Sequence, residues 1–169
     1  SEARAYGDKA LHKAGELAVE GKAVASDVIA SLGSSQIAAL TKNQVGVLST
    51  DKVALLASSQ IEALTTAQIG GLKTRQLATI TTDAVAGLTS GQIAALTATQ
   101  VAALDNSDFA LLSASQLAHL DPSVIPTLKT AQIAAMTTAQ IGALSTAQIQ
   151  ALTTAQVQAL TTAQVQALP

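Results

Sequence analysis

The residues in this 169-residue chain whose types could do chemistry are few and scattered. His12 and His119 each stand without a second His, a Cys or clustered carboxylates at ligand spacing, so neither forms a metal site. Asp105, Asn106, Ser107 and Asp108 bring two carboxylates together. They lack the twelve-residue pattern of an EF-hand loop, and helix capping accounts for them. Ser and Thr are abundant but have no His–carboxylate partner that would make one a nucleophile. There is no cysteine, which excludes disulfide and thiolate chemistry and suits an exported protein. No glycine-rich phosphate loop occurs. The net charge of −2, with Lys73 and Arg75 the only close basic pair in the repeats, gives no footprint for nucleic acid. No apolar run is long enough for a membrane-spanning helix, and no signal peptide is visible. From these residues no enzyme, no cofactor and no metal is expected.

The elements that carry these side chains follow one repeat. Aliphatic residues stand eight apart from Leu32 to Leu168, seventeen octads without an insertion or deletion. Val24 to Ser31 fits as a looser one before them. With the consensus Leu-Thr-Thr-Ala-Gln-Ile-Ala-Ala, position 1 is Leu, replaced by Ile80 and Met136. Position 6 is large and apolar throughout, from Ile37 to Val165, with Phe109 as its aromatic member. Position 8 is usually Ala or Gly, expected to let neighbouring coils approach.

One continuous helix is excluded, because eight residues at 100° advance 80° past two turns and the apolar pair would walk around the surface. A β-solenoid would set position 6 and the next position 1 on opposite faces, and Ala is depleted in strands. Ser/Thr at position 2 and Gln at position 5 form a capping box, as in Thr65…Gln68, Thr137…Gln140 and Ser145…Gln148. A helix start every eight residues requires a stop every eight residues. Each octad is therefore predicted as a short helix over positions 3 to 8, with a corner at positions 1 and 2. Positions 1 and 6 then form a hydrophobic staple and point inward. Where position 2 is Gly33, Ala57, Lys73 or Lys129, the cap is expected to slip to the Ser or Thr at position 3. Asp121-Pro122 is a strong helix start. Pro126, inside the same octad, predicts a local 3-10 or broken turn, with a hinge as the functional alternative.

The predicted fold is all-α: a solenoid of short helices, one per octad, over residues 24–169. Residues 1–23 are read as an amphipathic capping helix, about 8–20, or a linker from an upstream domain. The ending at Pro169, one place into a further corner, predicts a longer array. An uncapped last repeat would favour end-to-end self-association.

The Leu-[Ser/Thr]-x-x-Gln-[Ile/Val]-x-x octads resemble repetitive segments of very large bacterial secreted or surface proteins of the adhesin and calcium-binding repeat kind, over residues 24–168. The resemblance implies a spacer or stalk role outside the cell or at its surface. No functional residue transfers with it. The glycine-aspartate nonapeptides of calcium-binding repeats are absent, which puts calcium dependence in doubt. A second expectation is a solenoid that binds a protein or peptide. Its candidate contact residues are the irregular ones, Lys73, Arg75, Phe109, His119 and Asp121. A third is a regular Thr/Gln surface that binds ice or polysaccharide, against which stands the use of the Thr hydroxyls as caps.

Overall fold

The computed structural model describes residues 26–169, with side-chain surroundings from Ile29 onward. The expected helix within residues 1–23 lies outside the described residues. Among those described there are seventeen short α-helices and one 3-10 helix.

Every element begins at position 3 of its octad. Helices α1 (Ser26–Ser31), α2 (Ser34–Ala38), α3 (Lys42–Gly46), α4 (Thr50–Ala54), α5 (Ser58–Glu62), α6 (Thr66–Ile69), α7 (Thr74–Leu77) and α8 (Thr82–Ala86) form the first compact unit, which ends at Gly87. The second unit, Leu88–Pro169, holds α9 (Ser90–Ala94), α10 (Ala98–Ala103), α11 (Asn106–Ala110), α12 (Ala114–Ala118), the 3-10 helix (Pro122–Thr127), α13 (Thr130–Ala135), α14 (Thr138–Gly142), α15 (Thr146–Gln150), α16 (Thr154–Ala159) and α17 (Thr162–Gln166).

Local bonds explain the stop and the restart. The position-1 N–H donates to the position-6 carbonyl, as in Leu64 to Ile61 at 3.1 Å and Leu144 to Ile141 at 3.1 Å. This i→i−3 bond tightens the end of the helix and satisfies one of its orphan carbonyls. The following N-cap is extended, with φ −70° and ψ 160° at Thr65 and φ −73° and ψ 161° at Thr137, so the chain turns before the next helix can continue the last. No left-handed glycine is needed at these corners.

The coil contains three octads. In the first unit α1 packs on α4, α2 on α5, α3 on α6, α4 on α7 and α5 on α8. In the second, α9 packs on α12, α10 on the 3-10 helix, α11 on α13, α12 on α14, the 3-10 helix on α15, α13 on α16 and α14 on α17. Each pair is three octads apart, so a helix of five residues, unstable alone, rests on its counterpart 24 residues away. Both units are α-solenoids with nearest-neighbour packing.

Positions 1 and 6 line the interior as the spacing predicts. Ile61, Ile69, Ile93 and Val101 are 0% exposed, and Leu104 and Leu112 1%. Among the described residues Phe109 is the one aromatic, and it fills a position-6 place at 0% exposure. The small residues act at a place the octad pattern only partly shows. A Cβ on Gly46, at position 7, would meet the carbonyl of Gly71 in the next coil at 3.2 Å. Gly142 stands in the same relation to Ala167 O, also at 3.2 Å. At Gly46 and Gly142, therefore, position 7 comes close to the backbone of the next coil. Position 8 is close-packed as well at Gly71 and Gly87, where a Cβ would run into the side chains of Lys42 and Glu62, while elsewhere it tolerates Val47, Leu55 and Leu111, 67%, 51% and 52% exposed.

Two expectations about irregular octads resolve differently. The cap does not slip: Gly33, Ala57, Lys73 and Lys129 remain the N-cap residues without a side-chain cap bond. Their N–H groups still donate to the Oε1 of Gln36, Gln60, Gln76 and Gln132 at 2.7–2.9 Å. That half of the box, together with the inward position 1, holds the phase. Pro126 produces the local 3-10 turn. Asp121 caps it, Pro122 opens it, and Val124 and Ile125 stay buried. The turn packs on α10 and α15 within the second unit, in the place a helical octad would take.

These geometries set a pair of stability expectations. Thr137 Oγ1 accepts from Gln140 N at 3.2 Å at an exposed corner, so Thr137→Ala is expected to cost about 1 kcal/mol. Ile93 is fully enclosed, and Ile93→Ala is expected to cost about 2–5 kcal/mol. Urea titration of both variants checks the ratio; equal effects would contradict an inward position 6.

Candidate functional site: the interlayer glutamines

The repeated polar side chain with the most partners is the position-5 Gln. Its residue type suits the capping box, and its Oε1 accepts from the N-cap N–H: Thr65 to Gln68 at 2.6 Å, Ser145 to Gln148 at 2.8 Å, Thr153 to Gln156 at 2.9 Å. The same amide then turns its nitrogen to the preceding coil. Gln148 Nε2 donates to Leu117 O at 2.9 Å and Leu120 O at 2.8 Å. Gln156 Nε2 donates to Ile125 O at 2.7 Å and Leu128 O at 2.9 Å, and Gln164 Nε2 to Ile133 O at 3.1 Å and Met136 O at 2.7 Å. In the first unit Gln76 does the same with Val45 O at 3.0 Å and Leu48 O at 2.8 Å.

Each acceptor pair is the position-6 and position-1 carbonyls at the end of a helix in the coil below. The position-6 carbonyl already accepts from its own position-1 N–H, and the amide adds a second donor to it; the position-1 carbonyl is an orphan of the corner. One amide therefore satisfies the start of its own helix and the end of another. The orientation follows from chemistry: a flipped amide would set its oxygen against two carbonyls. From Gln60 onward the position-5 glutamines are deeply buried, Gln132 and Gln148 at 0% exposure, while Gln36 and Gln44 are half-buried. Among the described residues no buried side-chain N or O lacks a hydrogen-bond partner.

Reading the octads as capping boxes leaves this second role unseen. A signal for it exists. A capping box accepts Glu or Gln, and the helix dipole favours a negative charge near the first turn. Yet from Leu32 onward position 5 is Gln in thirteen of seventeen octads and Glu in none. Of Gln and an ionised Glu, only the amide can accept from one side and donate from the other.

The residues singled out for partner binding do not converge. Lys73 and Arg75 are exposed in the first unit. His119 and Asp121 are exposed in the second. Phe109 belongs to the core of the second unit, because position 6 faces inward whatever its size, so it offers no surface contact. His119 Nδ1 lies 2.7 Å from the carbonyl of Ser115 in its own helix, a local bond in which the ring N–H donates. Asp121 is a cap, accepting from Ser123 N at 2.8 Å. The Asp105 cluster is a cap as well: Asp105 Oδ1 accepts from Asp108 N at 2.7 Å and from Ser107 Oγ at 2.8 Å. Among the described residues no group of His, Cys, Asp or Glu is placed to hold a metal ion.

Both caps titrate in the direction their bonds dictate. The Asp108 N–H, then the Ser107 hydroxyl, with Lys129 attracting from the next coil, hold the Asp105 carboxyl below the usual carboxylate range. The Ser123 hydroxyl and N–H do the same for Asp121. A carboxyl whose folded value is lowered contributes stability above its unfolded value, and loses it as pH falls through the folded one. Acid titration of the unfolding free energy is thus expected to show a loss below the ordinary carboxylate range. Asp105→Asn together with Asp121→Asn is expected to shrink that loss.

The ALTTAQ repeat matches residues 66–98, 125–154 and 139–169, together just under half of the chain. These stretches are similar to the ALTTAQ repeat. The six residues of that name stand verbatim at Ala63–Gln68, Ala151–Gln156 and Ala159–Gln164, running from position 8 through the corner to the buried Gln. No curated protein and no solved structure matches the chain. The match supports a repeat protein. It carries the cap and the interlayer amide within one motif, which are the two devices that build the coil.

Proposed function

We propose that this chain is a non-catalytic structural repeat domain that serves as a spacer or stalk in a large bacterial protein at the cell surface or outside the cell. The observation that supports the reading is the commitment of the repeated polar groups. The Thr and Ser hydroxyls at position 2 cap, and the glutamines bind backbone on both sides of a layer. Side chains so engaged build length. The position-2 cap bonds also weigh against an ice- or polysaccharide-binding role for those hydroxyls.

A spacer is defined by reach. Chains with 24-residue coils removed from the second unit, held between two fluorescent reporter domains, are expected to bring the reporters closer by an equal step per coil. A separation independent of coil number would sink the reading. Protease access to an epitope-tagged chain on intact bacterial cells tests the location. A protein- or peptide-binding role would draw on Lys73 and Arg75 in the first unit, or on His119 and Asp121 in the second. Pull-down with the wild-type chain, lost on Lys73→Ala with Arg75→Ala or on His119→Ala with Asp121→Ala, would favour that role.

A further inference from the structure

From Leu32 onward four octads carry something other than Gln at position 5: Lys52, Ala84, Asp108 and Val124. The positions 28 and 31 residues before Lys52 lie outside the described residues. Asp108 keeps a polar side chain, and Val124 fills its place with two methyls, 2% exposed. Ala84 does neither. It is 0% exposed, and its side chain ends at Cβ. The frame around it is nevertheless that of the other joints. Its helix α8 rests on α5 in the first unit, in the same register as α7 on α4. One octad earlier, Gln76 joins three backbone groups: its Oε1 accepts from Lys73 N at 2.7 Å, and its Nε2 donates to Val45 O at 3.0 Å and Leu48 O at 2.8 Å. The equivalent groups around Ala84 are Thr81 N–H, Val53 O and Leu56 O. The Val53 carbonyl accepts from Leu56 N at 3.1 Å, as position 6 does elsewhere. Among the described residues no interlayer donor is added to it, no donor reaches Leu56 O and no acceptor reaches Thr81 N. Val53 and Leu56 are 0% and 4% exposed, and buried backbone groups are seldom left unpaired.

The chemistry these groups require is specific: one acceptor for the N–H and two donors for the carbonyls. A cation would face the Thr81 N–H, and an anion would face two carbonyl oxygens, so the ligand is neutral. We propose that a single water molecule is bound beside Ala84, between Thr81 N–H, Val53 O and Leu56 O, and does there what the glutamine amide does in other octads. It accepts from the N–H and donates one proton to each carbonyl. About three hydrogen bonds is the usual number for a buried water, and such a bridge holds nearly as well as a direct bond. The joint between α5 and α8 is thereby closed by a group that exchanges with solvent.

The test uses the full chain, isotope-labelled, and reads magnetisation transfer from water to backbone amides by NMR. Dipolar transfer, whose sign separates it from proton exchange, is expected at Thr81 N–H from a water resident for longer than the tumbling time. It is expected to be absent at Thr65 N–H, which has the same residue type at the same place but donates to Gln68 Oε1 at 2.6 Å. Ala84→Gln is expected to abolish the Thr81 signal and to melt no lower than wild type, because its amide takes over the three bonds. Ala84→Leu is expected to abolish the signal and to melt several degrees below Ala84→Gln, because it leaves the three groups unpaired. No long-lived water at Thr81 in the wild-type chain overturns the proposal, as does its persistence in Ala84→Gln. Melting of Ala84→Gln below wild type would mean that the layer has closed over the small side chain, and melting of Ala84→Leu as high as Ala84→Gln would mean that the place needs volume and not hydrogen bonds; either result overturns it too.

Discussion

Replacing Gln148 with glutamate is expected to cost roughly 4–6 kcal/mol at pH 7, several times the loss of a single helix cap. The carboxylate can still accept from Ser145 N, but it faces Leu117 O and Leu120 O with no proton to donate. The site is 0% exposed, so the ionised form is strongly disfavoured and the folded value of the new carboxyl rises. Ionisation can cost no more than protonation does. Protonating a carboxyl with an unfolded value of about 4.3 at pH 7 costs about 3.7 kcal/mol, and the lost hydrogen bonding adds roughly 1–2. The sign is distinctive. A raised folded value gives stability that is full below the unfolded value and is lost as pH rises through the folded one. Urea melts of Gln148→Glu relative to wild type at pH 4 and pH 8 are expected to differ by several kcal/mol. Gln148→Leu removes the same amide without a titrating group and is expected to show a pH-independent loss of about 2–4 kcal/mol. Equal pH behaviour in the two variants would mean that the amide does not face those carbonyls.

The second large effect concerns register. Deleting residues 145–152 joins Leu144 to Thr153 in phase. Gln156 then meets the carbonyls of Leu117 and Leu120, which Gln148 used, and every later octad shifts by one partner. This chain is expected to melt cooperatively within a few degrees of wild type. Deleting residues 145–148 removes half as much chain and does far more damage. Leu144 meets Ile149 out of phase, and Gln156 and Gln164 lose both their acceptors and their fit over the coil below. That loss is on the order of 5 kcal/mol from the five interlayer hydrogen bonds of Gln156 and Gln164 and the apolar surface beside them. Amide exchange checks it: the octad deletion is expected to keep protection over residues 153–166, and the half-octad deletion to lose it. The reverse order would refute the octad as the unit of packing.

Much of this was legible in the sequence, because it rests on bonds that span eight residues or fewer. The Ser/Thr and Asp caps, the inward positions 1 and 6, and the 3-10 turn at Pro126 all follow from neighbours in the chain. The expected slip at Lys73 and Lys129 weighed only the hydroxyl. The Gln Oε1 to N-cap bond survives when position 2 has none. What local signals could not supply is the number of octads per coil. That number depends on the sum of many corner torsions, each of which varies by several degrees between octads. The interlayer role of Gln went unseen for a related reason. Its first partner lies three residues away and explained the residue type, while its other partners lie 28 and 31 residues away. Phe109 misleads in the opposite direction: its rarity suggested a contact residue, but the place in the octad decides its burial.

The interlayer amides are neutral, and this sets how the coils respond to their medium. From Thr130 onward the chain carries no charged side chain, so the joints between its last coils are apolar contacts and amide dipoles, with no ion pair. Dissolved ions screen charges over a Debye length of about 8 Å at physiological ionic strength, and leave short dipole contacts in a dry interior almost untouched. A stack held this way does not loosen by charge screening as the medium passes from fresh water to brine, where one held by surface ion pairs would.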